Sequence, residues 1–424
     1  MDHQPRTLSR RTALASLAGA ALAGTAAVPA AASGLARSAQ GAGGSHGGRT
    51  VRFATFNASL NRGTQGALVT DLSTPHNAQA RNVAETIQRV DPDVLLINEF
   101  DYDEHGTAIS LFLRNYLAVS HNGSRPLHFA HHFTGPVNTG VASGVDFDGK
   151  NGAVTTPGSD AYGQDAFGYG FFPGQYGMVV LSRFPIDTRA VRTFRHFLWK
   201  DMPGNVMPPG YYSDEARAIF RLSSKSHWDV PLRIGRDTVH FLVSHPTPPS
   251  FDGPEDRNGR RNHDEIRLWA DYIGGRRRSA YLYDDKGVRG GLRPGARFVI
   301  AGDLNADPLD GDSYDHAVLQ LLDHPAVRRP ATPPASAGAV EAARLQGGAN
   351  TSQTGNPAYD TGDFADTAPG NLRVDHILPS KGLTPGANGV FWPTSDDPLY
   401  RLVGDGTTVV TSDHRMVWQE IRVD

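Results

Sequence analysis

From residue 51 onward, short apolar runs alternate with segments whose apolar positions recur every three or four residues. A run that stays apolar on successive residues suits a strand covered on both faces, whereas the three-to-four spacing suits a helix with one buried stripe. The pattern predicts strands over 51–59 (VRFATFNAS), 93–100 (DVLLINEF), 177–186 (GMVVLSRFPI), 237–245 (DTVHFLVSH), 296–305 (ARFVIAGDLN), 372–380 (LRVDHILPS) and 413–423 (DHRMVWQEIRV). It predicts helices over 77–90, with Val83, Ile87 and Val90 on one side, and over 108–119, 263–275 and 314–323. Residues 120–175 and 330–370 are polar, rich in glycine and aperiodic. They read as long loop insertions, a feature that is usually functional when ordered. Helices mixed with hairpin-like strand pairs fit two mixed sheets flanked by helices better than a doubly wound parallel sheet.

The predicted strands share one peculiarity: polar groups sit at their ends. These are Asn57 on the first, Asn98 and Glu99 on the second, His245 on the fourth, and Asp303 with Asn305 on the fifth. Asp375 lies within the sixth, and Asp413 with His414 opens the last. In VIAGDLNADPLDG (299–311), Asp303 and Asn305 are two residues apart, so both side chains can project from the same side of a strand end. Taken singly, each position has a plain reading as a turn former, a strand cap or an ion-paired acid. Gathered at one edge, they would supply hard oxygen ligands beside imidazoles, the equipment for metal-assisted hydrolysis of a phosphate ester.

Composition narrows the chemistry. The 424 residues contain no cysteine, which removes disulfides, thiolate zinc sites and cysteine nucleophiles. A metal would be held by oxygen and imidazole, a donor set that favours magnesium, manganese or calcium. Near the N-terminus, SRRTALASLAGAALAGTAAVPAAAS pairs Arg10 with Arg11, continues as a weakly apolar stretch and ends in small residues. Residues 1–32 resemble a twin-arginine signal peptide, so the expectation is export and a secreted, extracellular protein with the signal removed. Residues 33–50 read as a flexible Gly/Ser/Ala linker and 51–424 as a single catalytic domain. The signal carries three arginines and one aspartate, so the remainder is two units more negative than the −3 of the whole chain. That balance offers no general attraction to nucleic acid. Arg257, Arg260 and Arg261 could still line a local basic groove, while Arg276–Arg278 reads as a solvated helix end. No other segment is long enough to span a bilayer, so no stable membrane anchor is expected, and the expected state is a monomer.

The ordered set ATFN, LINEF, GMVVLSRFPI, LVSHPTPP, IAGDLNADP, LRVDHILPS and TSDHRMV resembles the motifs of the endonuclease/exonuclease/phosphatase superfamily across about residues 51–423. The resemblance implies an α/β fold: a four-layer α/β/β/α sandwich of two mixed sheets, with the site at one edge of the sheet pair. It implies that Glu99 and Asn57 hold a divalent cation, most simply Mg2+ with Mn2+ or Ca2+ as alternatives, and that Asp413 lies near it or fixes the neighbouring backbone. Asp303 would orient or deprotonate the attacking water, and Asn305 would hold a phosphate oxygen. His245 would bind the phosphate and stabilise developing charge. His414 would do the same or act as general acid or base, oriented by Asp375. Tyr176 reads either as a phosphate contact or as aromatic packing, and Arg183 as a brace of the sheet edge.

Two segments stay open. In DGPEDRNGRRNHDEIR, Asn262 or His263 sits either near a helix N-cap or beside the catalytic histidine as a substrate or second-metal residue. His131, His132, Asp146 and Asp148 raise the option of a calcium-binding loop, although no recognised ligand spacing is present. The leading expectation is a secreted metal-dependent phosphoesterase acting on small organic phosphate mono- or diesters, phospholipid headgroups among them. The alternatives are an extracellular nuclease, with nucleic acid as substrate only, and an inactive binding module on the same scaffold.

Overall fold

A computed structural model describes residues 48–329 and 331–424. The signal peptide and nearly all of the linker expected from the sequence lie outside the described residues. Eleven strands are formed: β1 Arg49–Leu60, β2 Val94–Phe100, β3 His131–Thr134, β4 Met178–Ser182, β5 Arg192–Thr193, β6 His227–Ile234, β7 Asp237–Ser244, β8 Arg297–Asp303, β9 Asp375–Pro379, β10 Thr384–Val390 and β11 Val417–Val423. They make a six-stranded sheet in the order β10-β11-β1-β2-β4-β3 and a five-stranded sheet in the order β5-β6-β7-β8-β9. Each sheet has one parallel pair at its heart, β1 with β2 and β7 with β8, and antiparallel neighbours elsewhere.

The continuous apolar runs are explained by the layering. In β8, Val299 and Ala301 join the cluster between the sheets, whereas Phe298 and Ile300 join a second cluster beneath the helix Arg257–Ile273. In β7, Phe241 and Val243 face inward and Leu242 outward. A strand buried on both faces has no need to alternate apolar with polar residues. Across the interior, the rings of Phe53 and Phe241 lie 5.6 Å apart, and Phe133 meets Trp228 edge-on at 5.0 Å. The outer face of the six-stranded sheet is covered by Ala78–Val90, capped by Asn77 accepting from Ala80 N at 3.0 Å, and by Thr107–Phe112 with its continuation to Leu117. The result is a helix–sheet–sheet–helix sandwich, as the sequence predicts. No helix among the described residues is long and apolar enough to cross a membrane.

Several elements depart from the sequence pattern for identifiable reasons. The helix predicted from 263 begins at Arg257 because its first turns, RNGRRN, carry no apolar period. The helix predicted over 314–323 is broken into Tyr314–His316 and Leu319–Leu322, with Asp315 and His316 at φ 47°. Strand β6 was hidden by Asp229 and Pro231. The proline is tolerated because β5 reaches only to Arg192, opposite Asp229, and beyond it only the irregular Pro185–Asp187 segment passes alongside. The insertion 330–370 contains the helix Ala337–Gln346, capped by Ser336, and 120–175 contains β3 and the helix Asp160–Asp165.

Candidate active site

The topology brings the polar strand ends together. Because β1 runs parallel to β2 and β7 to β8, Asn57 stands beside Asn98 and Glu99, and the residue after β7, His245, stands beside Asp303. Antiparallel β9 enters where β8 leaves, so Asp375 is paired directly with Asp303. Gly302 makes the approach possible: a Cβ there would lie 2.1 Å from the Ser244 carbonyl oxygen, so only glycine lets β8 hug the end of β7.

One carboxylate oxygen is the hub. Asp303 Oδ2 has Asn57 Nδ2 at 3.0 Å, His245 Nε2 at 3.3 Å and His414 Nε2 at 3.5 Å. Its partner oxygen, Oδ1, accepts from Asn305 N at 2.9 Å. Asn57 Nδ2 also reaches Glu99 Oε1 at 3.1 Å, and Asn61 Nδ2 donates to Glu99 Oε2 at 2.8 Å. Two carboxylates paired across strands would ordinarily repel. Here His414 lies between them, its Nδ1 at 2.9 Å from Asp375 Oδ2, an oxygen that also accepts from Thr361 Oγ1 at 2.9 Å.

These groups are buried rather than solvated: Asp303 is 1% exposed, Asp375 2%, His245 3% and His414 5%. Burial therefore weighs on every titration, without always deciding it. For Asp303 it opposes ionisation, but His414, His245 and the Asn57 amide outweigh it and hold the carboxyl far below the usual range. For Asp375 burial prevails and pushes it up to about 6. For His414 burial opposes the charge, and the Asp303 and Asp375 carboxylates overcome it, lifting the imidazole to about 10. His245 goes the other way, lowered by burial and then by the Lys225 ammonium. At neutral pH the edge thus holds a permanent carboxylate between a charged and a neutral imidazole.

Other expected residues take supporting positions. Asp413 lies by β1, accepting from Ser59 Oγ at 3.3 Å. Asn305 spends one N–H on the Pro246 carbonyl at 3.1 Å, pinning the corner after His245 and leaving its second N–H for other use. The Tyr176 backbone donates to Asp101 Oδ1 at 3.1 Å. Burial pushes that Asp101 carboxyl up to about 7. Ser59, Glu99, Tyr176 and Asn305 all hold positive φ, between 49° and 58°, so backbone strain of order 1–3 kcal/mol per residue is concentrated at this edge. Arg183 braces the sheet, bonding Asp93 at 3.0 Å and Asp91 at 2.5 Å.

The segment after His245 follows neither sequence reading. Asn262 is wholly buried inside the helix and donates to Thr247 O at 2.8 Å and Leu304 O at 2.9 Å, tying the His245 loop to the Asp303 loop. His263 pairs with its neighbour Asp264 at 3.0 Å. Arg261 is buried and bonds the Leu222, Phe167 and Arg221 carbonyls, Arg257 pairs with Glu255, and Arg260 lies over the Tyr314 ring, so these three do not line a groove. His131 and His132 belong to β3. Asp146 and Asp148 do approach each other and Asp165 within 4.8 Å, but Asp146 and Asp165 each accept two of the loop's own backbone N–H groups. Those bonds hold the loop in shape, and the three carboxylates also lie close enough together to hold a cation.

Sequence reasoning missed two buried groups, Lys225 and Glu265, and the half-buried Asn61. Asn61 lies past a register irregularity in β1. Lys225 and Glu265 depend on β6, whose pattern was masked. Glu265 is wholly buried, and its two oxygens accept from Ser224 N and Thr247 N at 2.6 Å each, clamping the segment before β6 to the segment after β7.

The donor chemistry fits a hard divalent cation. The Glu99 carboxylate, the Asn57 amide and the Asp303 carboxylate converge, and Asp303, Asp375 and His414 offer ligand atoms within 4.8 Å of one another. In the arrangement seen, the Asn57 amide turns its nitrogen to both carboxylates while its oxygen accepts from Ser59 N at 3.2 Å; ligation requires the opposite amide orientation.

Solved structures with a similar course include an endonuclease/exonuclease/phosphatase from Beutenbergia cavernae, 16% identical over 88% of this chain and 72% of that one, with a TM-score of 0.47. A sphingomyelinase C from Streptomyces griseocarneus is 15% identical over 88% and 99%, at 0.42. TDP2 from Caenorhabditis elegans is 15% identical over 88% and 75%, at 0.40. No curated protein sequence matches the chain. The profile of the endonuclease/exonuclease/phosphatase family matches residues 54–414, a span that opens on the strand carrying Asn57 and closes on His414, and the chain belongs to that family.

Proposed function

We propose that the protein is a divalent-metal-dependent phosphoesterase that hydrolyses small organic phosphate mono- or diesters by direct attack of water. The observation that carries this is the Asp303 Oδ2 hub, a buried, permanently ionised carboxylate oxygen ringed by two imidazoles and the Asn57 amide. Glu99 and Asn57 would hold the cation, which would neutralise phosphoryl charge when bound. A carboxylate so acidic is a weak base, so Asp303 serves to orient the water in line with the ester bond rather than to remove its proton beforehand. His414, kept charged by Asp375, offers positive charge to the non-bridging oxygens, and neutral His245 offers a hydrogen bond to the same group. The P–O bond from water forms, the ester P–O bond breaks, and the proton the water sheds ends on the departing oxygen, which leaves as an alcohol.

The absence of a basic row at Arg257, Arg260 and Arg261 favours small esters over a nucleic acid chain, which demands contacts along its backbone. The test is a hydrolysis panel of a phosphomonoester, a phosphodiester, a phospholipid and duplex DNA, each with and without chelator. Cleavage of the small esters that ceases in chelator supports the reading, and cleavage of DNA alone replaces it with a nuclease. Export by the twin-arginine route is part of the proposal. Arg10→Lys with Arg11→Lys is expected to retain the protein inside the cell, and undiminished secretion of that variant would refute it.

A further inference from the structure

Lys225 has no role in the scheme above, yet it occupies the same edge. The five-stranded sheet sets the order: Lys225 immediately precedes β6, His245 follows β7, Asp303 ends β8 and Asp375 starts β9. Since His227 is paired with Ser244, the segment before β6 and the segment after β7 emerge side by side. Lys225 is 6% exposed, and among the described residues its ammonium makes no hydrogen bond or ion pair, yet the nitrogen itself is not wholly enclosed.

An unpartnered ammonium on so buried a side chain is costly, and its backbone leaves little room to relocate it. The Lys225 carbonyl accepts from Asn138 N at 2.9 Å, the neighbouring Ser224 N is held by Glu265 Oε1 at 2.6 Å, and Ser226 is buried. Glu265, the carboxylate with the greatest electrostatic influence on the lysine, already takes main-chain N–H groups on both oxygens. Glu99 and Asp303 also act on it through space, and the lysine in turn depresses the neighbouring His245. Two readings follow. The ammonium is a fixed counter-ion to the carboxylates, or it awaits an anion that enters the edge. The lack of any direct contact with Glu99, Asp303 or Glu265 speaks against the first, because a counter-ion of long reach would close on one of them.

We propose that Lys225 is a phosphate-binding residue, donating from Nζ to a non-bridging oxygen of the substrate phosphoryl group on the side of His245. The proposal rests on the phosphoesterase reading for the identity of the anion. Its ammonium contacts the same oxygens in the bound ester and during attack, so its loss weakens binding more than turnover.

The experiment compares wild type, Lys225→Met and Lys225→Arg for binding of inorganic phosphate in saturating magnesium, by 31P NMR titration, alongside KM and kcat on a small ester. In Lys225→Met the phosphate dissociation constant and KM should both rise about tenfold or more, with a smaller fall in kcat and unaltered magnesium affinity. Lys225→Arg, which keeps the charge, should recover part of the phosphate affinity, and Lys225→Gln, which removes it, stands in should the methionine variant fail to fold. Phosphate affinity within twofold of wild type in Lys225→Met, or in Lys225→Gln where the methionine variant does not fold, would overturn the proposal. The two readings fail separately: a wild type that binds phosphate through Lys225 but cleaves no ester sinks the phosphoesterase reading alone. One that cleaves esters with phosphate binding indifferent to residue 225 sinks this one alone.

Discussion

Asp303 shows how one residue acquires its character from its neighbours. The sequence places it at the end of a strand, where a solvated position is the natural expectation; the structure buries it at 1% exposure among groups that hold its charge. Its replacement should therefore be felt electrostatically as well as catalytically. Asp303→Asn is expected to lower kcat at least about a hundredfold. The same change removes an anion from beside His414, so the imidazole, held at about 10, should titrate at lower pH when followed by NMR in chelator. An unmoved His414 titration would show that Asp303 is not its partner. Asp360 offers a case away from the chemistry. Burial, then Asp307 and Asp310, push its carboxyl up to about 8, and among the described residues its buried Oδ2 has no partner. An acid raised in the folded state keeps a proton there that the unfolded chain releases, so stability is lost as pH rises from about 4 toward 8. Asp360→Asn should leave the melting temperature unchanged near pH 4 and raise it by a few degrees at pH 8. An equal effect at both values would contradict this.

At the scale of elements, what was legible followed the apolar runs. Strands β2, β4, β7, β8, β9 and β11 lie inside predicted segments, and β1 overruns its segment slightly at each end; most are buried on both faces along part of their length and read as apolar runs. Their polar ends could be read for the same reason: a charged residue after such a run is conspicuous. Illegible were the elements whose burial depends on partners distant in sequence. Strand β6 carries Asp229, whose Oδ2 accepts from Tyr272 on the far helix at 2.7 Å and whose Oδ1 pairs with His240 at 2.7 Å, so its polarity is compensated only in three dimensions. Missing β6 meant missing Lys225 and the Glu265 clamp. That clamp makes its own prediction. Glu265→Gln keeps the shape but turns an NH2 toward a backbone N–H, forfeiting a charge-assisted bond worth about 1.5–3 kcal/mol. Urea unfolding should register a loss of that size, together with reduced activity, because the His245 loop is no longer tied to its neighbour. Stability equal to wild type would show that Ser224 and Thr247 are held by other means.

For the whole molecule, two sheets packed face to face create a single edge where the ends of two parallel strand pairs meet. Neither sheet alone holds the site: Asn57 and Glu99 come from one, His245, Asp303 and Asp375 from the other, and His414 from the segment leading back into the first. The large insertions pack around this edge, with Asn138 bonded to the segment bearing Lys225 and Thr361 bonded to Asp375. A machine divided this way is expected to depend on a shared cation for activity. The most direct measurement is hydrolysis of a small phosphate ester by wild type and Glu99→Gln, after chelation and across a magnesium titration. Chelated wild type should be inactive and recover with magnesium, and Glu99→Gln should need at least about tenfold more magnesium and recover little of the rate. Full activity of chelated protein, with elemental analysis showing no retained metal, would contradict the account.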